Sequence, residues 1–231
     1  MKSSALLLGC VSAAAVLACD RDACAASTFY FNAAQQYTSL ESSPFYGSSV
    51  HLERFEDGLL NVGGVTANGF IKPASAMTDS VDRDDGTVDG FGHGQSYSSG
   101  FKNSITFTFS QNAQGKMPTM AGLVWTDGHA NSTITFRAWD KFGTFLGKIQ
   151  ATLGDAMRNG TTAEDRFFGV KSTTGISRIE IVSNFAGFEI DHLQFSYYSF
   201  AVVPVPPALA LGAAGLGGVA VFRRIRRGRL P

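Results

Sequence analysis

Thr133-Ile134-Thr135-Phe136-Arg137-Ala138-Trp139 alternates polar and apolar side chains, and this period of two decides the fold. Ile134, Phe136 and Ala138 fall on one face of an extended strand. Ser104-Ile105-Thr106-Phe107-Thr108-Phe109 repeats the pattern, so Ile105, Phe107 and Phe109 share a side. Asp140-Lys141-Phe142-Gly143 reads as a turn, from which Thr144 to Ile149 returns as a hairpin partner. Gly175 to Ile181 is a further strand that buries Ile176 and either Ile179 or its neighbours, its register left open. Phe188 to Phe195 turns Phe188, Ile190, Leu193 and Phe195 inward, and its change of phase predicts a bulge near Asp191-His192. Strands are also expected at Thr28–Phe31, Val50–Phe55, Met120–Thr126 and Arg166–Lys171. No segment has the period of a long helix. Eight or more short strands separated by turns predict an all-β fold, an antiparallel β-sandwich of jelly-roll type.

The 231 residues include 26 glycines and 19 phenylalanines, a composition that suits strands and turns. Residues 26–49 read as a polar lead-in and 50–200 as the sandwich. The formal charge of the whole chain is zero, but residues 26–203 hold 12 basic and 17 acidic side chains, a net −5. That balance excludes nucleic acid as a partner, since phosphate binding needs a clustered basic face. Cys10, Cys19 and Cys24 all precede the domain, so it has neither a disulfide nor a thiol nucleophile of its own.

The two ends carry addresses. Lys2 followed by the apolar run Ala5 to Ala18 is a signal-peptide pattern, with Ala23-Cys24-Ala25 as the cleavage site and residues 1–25 as the leader. The alternative is a lipobox, Val16-Leu17-Ala18-Cys19, with Cys19 lipidated. At the other end Val203-Pro204-Val205-Pro206-Pro207 precedes an apolar run from Ala208 to Phe222. As a helix that run would measure roughly 22 Å, short against a hydrocarbon core of ~30 Å. Arg223, Arg224, Arg226 and Arg227 follow it and predict a cytoplasmic end, which leaves the domain outside.

A proline motif, a short small-residue span and terminal arginines, in that order across residues 203–231, resemble the PEP-CTERM sorting signal read by exosortases. Val203-Pro204-Val205-Pro206 matches the usual Val-Pro-Glu-Pro, with Val205 where glutamate is typical. The resemblance implies an exosortase-like processing partner and a transient tether in the inner membrane. It also implies delivery to the surface or matrix of a Gram-negative-type bacterium. Stretches such as Ala121 to Gly128 and Glu189 to Leu193 are similar to ectodomains of other PEP-CTERM proteins, which supports the architecture rather than an activity.

Candidate chemistry lies in three places. Asp79, Asp82, Asp84, Asp85 and Asp89 crowd one loop, where clustered oxygens suit calcium, although the spacing is not that of an EF-hand. Glu56 and Asp191 lie on segments that jelly-roll carbohydrate-binding modules bring together, often around a structural calcium. Trp125 and Trp139 are candidates for stacking on sugar rings, although their strand positions point to the core. No nucleophile elbow or His-Glu-x-x-His spacing occurs. The sequence therefore reads as a non-enzymatic surface or matrix protein that binds exopolysaccharide. The alternatives are a secreted polysaccharide hydrolase built on two carboxylates and a coat or biofilm component without a ligand.

Overall fold

The computed structural model describes residues 27–81, 94–155 and 164–198. They form strands β1 Ser27–Phe31, β2 His51–Glu53, β3 Val65–Ala67, β4 Phe70–Lys72, β5 Ser96–Ser98 and β6 Ser104–Phe109. After these come β7 Met120–Asp127, β8 Ser132–Asp140, β9 Phe145–Leu153, β10 Arg166–Ser172, β11 Ile176–Ser183 and β12 Glu189–Ser196. A short 3-10 helix spans Leu40–Ser42. No helix among the described residues is long and apolar enough to cross a membrane. The leader, the proline motif, the apolar run 208–222 and the terminal arginines lie outside the described residues.

Two antiparallel sheets make a sandwich. One has the order β1-β10-β7-β12-β5-β4, with β2 also paired to β12; the other runs β3-β6-β11-β8-β9. The alternating strands behave as the period of two demands: Ile105, Phe107 and Phe109 of β6 and Ile134, Phe136 and Ala138 of β8 all face the core. There they meet Leu123 and Trp125 of β7, Phe168 of β10, and Ile190, Leu193 and Phe195 of β12. Phe136 bridges the sheets, 6.1 Å from Phe168 and 6.4 Å from Phe29 between ring centroids. Burying one such side chain contributes roughly 1.5–3 kcal/mol.

Two of the register shifts bear directly on the packing. Pairing of β11 with β8 shifts between Ile176 and Arg178, which lets Ile176, Ile179 and Ile181 all face inward. Pairing of β12 with β7 shifts between Asp191 and Gln194, and His192 there adopts φ 45°. The β8–β9 turn is closed by Asp140, whose Oδ1 accepts the N–H groups of Phe142 (2.8 Å) and Thr144 (2.9 Å).

The segment read as a polar lead-in is part of the fold. β1 closes one edge of the larger sheet against β10. Tyr37 and Phe45 then cross the outer face of that sheet and make a second core with Val81, Met120, Val124 and Phe167. β7 and β12 are consequently buried on both faces. The sequence pattern hid this because the covering apolar residues are few and separated by serines, asparagine and glutamines, so no period marks a buried stretch.

Candidate functional site

A cleft of about 250 Å³ opens beside β1, lined by Phe29, Tyr30, Phe31, Asn32, Gln35, Gln36, Tyr37, Ser42, Pro44 and Phe167. Strand geometry supplies the walls. Phe29 and Phe31 turn toward the sandwich core, and Tyr30 turns the other way, edge-on to Phe45. Beyond the strand Asn32 begins a turn: its Oδ1 accepts the N–H of Ala34 at 3.0 Å, as short amide side chains do. Arg166 braces that turn by donating from Nε to the Ala33 carbonyl at 2.8 Å.

Tyr37 forms the floor. Its ring lies over Phe167, centroids 6.1 Å apart. Gln194 Nε2 donates to the Tyr37 hydroxyl at 2.9 Å, and the same hydroxyl is hydrogen-bonded to His192 Nδ1, 2.7 Å away. Ser43 donates to Gln194 Oε1 at 2.6 Å, completing a buried polar seam between the β12 bulge and the lead-in. The bulge thus has a purpose: it turns His192 outward to where Tyr37 can meet it.

None of the ten lining residues is charged. Lys171 holds Tyr30 from nearby, its Nζ 5.0 Å from the ring centroid, without lining the cleft. Aromatic faces beside carboxamides, each of which both donates and accepts, suit a neutral polyhydroxylated ligand. The volume lies slightly below the ~300 Å³ lower end of small-molecule pockets, room for one or two small rings.

The residues singled out from the sequence lie elsewhere. Trp125 is fully buried between the sheets, so it is a core residue and not a stacking platform. Its strand is central to the larger sheet, and its period places it inward with Leu123. Trp139 departs from the core expectation: it shares β8 with the inward Phe136 and Ala138, and so points out of the smaller sheet. There the Arg178 guanidinium sits 3.8 Å over its ring. Glu56 Oε1 accepts the Gln95 N–H at 2.8 Å. Asp191 is fully buried, with Oδ2 accepting the Val81 N–H at 2.9 Å and Oδ1 the His192 N–H at 2.6 Å. Among the described residues no three acidic, histidine or cysteine side chains are grouped to hold a metal ion. Asp82, Asp84 and Asp85 lie outside the described residues.

A second polar cluster sits at the far end of β7. Asp127 faces Glu189 in the β7–β12 register. Glu189 pairs with Lys72 and accepts from Ser96 Oγ at 2.5 Å. Burial, reinforced by the Glu189 charge, lifts the Asp127 carboxyl to a pKa of about 7. Glu164, whose Oε1 accepts the Asp155 N–H at 2.5 Å, is lifted by burial to about 8. These groups are enclosed and do not reach the cleft.

No family model and no curated protein matches the sequence. Solved structures do resemble it in form. A family 6 carbohydrate-binding module is 16% identical, over 64% of this chain and 94% of that one, with a TM-score of 0.34. The K1 cleaved adhesin domain of Lys-gingipain from Porphyromonas gingivalis W83 is 10% identical over 65% and 99%, TM-score 0.39. TmCBM61, solved with β-1,4-galactotriose, is 13% identical over 63% and 94%, TM-score 0.33. Likeness at this level carries no functional inference.

The cleft leaves only a faint trace in the sequence, in Phe29-Tyr30-Phe31-Asn32 and Gln35-Gln36-Tyr37, where aromatics stand next to carboxamides.

Proposed function

We propose that this chain is an exported, non-catalytic carbohydrate-binding protein, carried outside the cell on a C-terminal anchor of the PEP-CTERM type. The observation that carries the binding part is the uncharged cleft beside β1, where Tyr30, Tyr37 and Phe167 stand next to Asn32, Gln35 and Gln36. A sugar ring presents an apolar face for an aromatic ring and equatorial hydroxyls for a carboxamide, and this cleft offers both partners. Export rests on the leader at residues 1–25 and the tripartite tail at 203–231. An exosortase-like enzyme is the processing partner that tail calls for.

A polysaccharide hydrolase needs two carboxylates flanking the bond, roughly 5–10 Å apart. No Asp or Glu lines the cleft, and Asp127, Glu164 and Glu189 are enclosed at the other end of the larger sheet's central strands. This favours binding over hydrolysis. Isothermal titration of the purified protein against neutral oligosaccharides tests the proposal. Binding should weaken at least tenfold in Tyr30→Ala and in the double variant Asn32→Ala/Gln35→Ala, with no release of reducing ends. Unchanged affinity in those variants would exclude the cleft as the site.

A further inference from the structure

The β8–β9 hairpin presents two exposed aromatic rings side by side. At its tip Phe142 is 76% exposed, and Phe145 beside it is 51% exposed. Trp139 packs on Phe145, ring centroids 5.6 Å apart. Cations cover these rings: Lys141 Nζ lies 4.9 Å from the Phe142 centroid and Arg178 sits over Trp139. The register extends the patch along the outer face of the smaller sheet, where Arg178 faces Trp139 and Arg137 faces Lys148. Of the acidic groups nearby, Glu180 is paired with Arg137 at 3.2 Å, and Asp140 is buried under the turn holding backbone N–H groups. The patch is therefore net basic on a domain whose overall charge is −5.

Its position matters. The Gly175 turn packs between Met117 and Lys141, and Ile176 N–H bonds the Pro118 carbonyl at 2.7 Å. Thr119 in turn bonds the carbonyl of Tyr198, the last described residue. The hairpin tip and the chain's exit thus share one end of the sandwich. Only residues 199–207 separate that exit from the apolar run beginning at Ala208, a contour of at most about 30 Å.

We infer that the β8–β9 hairpin is a membrane-contact element: Phe142 and Phe145 insert at the interface of an anionic lipid surface while Lys141, Lys148 and Arg178 meet its headgroups. This rests on the C-terminal anchoring reading. The chemistry fits lipid better than a sugar polymer, because the rings protrude at a turn rather than lining a groove, and cations already occupy two of the aromatic faces. Protruding aromatics rimmed by basic groups combine apolar insertion with attraction to anionic lipid.

The test uses the full chain reconstituted into vesicles whose acyl chains carry bromine, made either with anionic or with purely zwitterionic phospholipid. Trp125 is buried in the core, so quenching reports Trp139. Quenching should appear in anionic vesicles and fall at least twofold in Phe142→Glu/Phe145→Glu, with co-flotation and thermal unfolding unchanged. It should also weaken in Lys141→Glu. Protein that floats with the vesicles yet shows no Trp139 quenching, or whose quenching survives the double substitution, overturns the inference and leaves the anchor standing. Failure to float overturns both. A change in Trp139 emission with a soluble polyuronate, and none with lipid, would reassign the patch to a polymer.

Discussion

At Asp127 one carboxyl group stands opposite another, Glu189, across the β7–β12 ladder, with Lys72 bonded to Glu189 as the cation beside them. In the unfolded chain both Asp127 and Glu164 lose their protons near pH 4; in the fold they keep them to about 7 and about 8. The folded state thus binds more protons across that window, and stability falls as pH rises through it. Calorimetric scans should show a melting temperature that declines from pH 5 to pH 9, and Asp127→Asn should make the decline shallower; an unaltered slope would refute the role of Asp127. Glu53 is the opposite case, a buried carboxylate that is fully used. It accepts the N–H groups of Phe55 (3.1 Å), Asn61 (3.1 Å) and Val62 (3.0 Å), closing the loop after β2, where Phe55 adopts φ 63°. Glu53→Ala strands three N–H groups and should cost about 3 kcal/mol in urea denaturation. A loss under 1 kcal/mol would mean that water replaces the carboxylate.

Strands β7 and β10 show how an element can be shaped by what it leaves out. Gly122 and Gly169 face each other in register, and the Phe167 ring lies across both. A Cβ on Gly122 would sit 2.5 Å from the Phe167 ring, and one on Gly169 2.6 Å from it. The pair therefore makes the shallow trough that seats Phe167, which in turn supports Tyr37 and the floor of the cleft. Gly122→Ala should destabilise the protein by about 1–3 kcal/mol through overpacking and weaken ligand binding with it. Combined with Phe167→Leu it should cost less than the sum of the two single changes, which a double-mutant cycle would read. Additive costs would show that the ring moves aside freely. The three-residue strands β3, β4 and β5 escaped the sequence reading for a related reason: three positions are too few to display a period. The bulge in β12 did leave a mark, because a phase change within Phe188 to Phe195 has no other cheap explanation.

In the whole molecule two kinds of surface are segregated. The uncharged cleft lies at the β1 edge of the larger sheet, and the basic aromatic hairpin lies at the end of the sandwich where the chain leaves Tyr198. A protein held at a lipid surface by that end would keep its cleft available for a polymer. Removing the patch with Phe142→Glu/Phe145→Glu should therefore leave oligosaccharide affinity within twofold, as read by titration. A larger loss would show that the two regions act as one site. The amino-acid sequence by itself determined the longer strands, their inward faces and the sandwich, because alternation is a local property and Ile134, Phe136 and Ala138 state it within five residues. Trp139 was expected in the core as well, and there the structure decided otherwise: it lies one step out of phase with Phe136 and Ala138 and points outward. Only the tertiary structure decided what covers the outer face of the larger sheet. That cover depends on partners as distant as Tyr37 and His192, joined by one hydrogen bond across 155 residues, and no local pattern encodes which segment folds back over which strand.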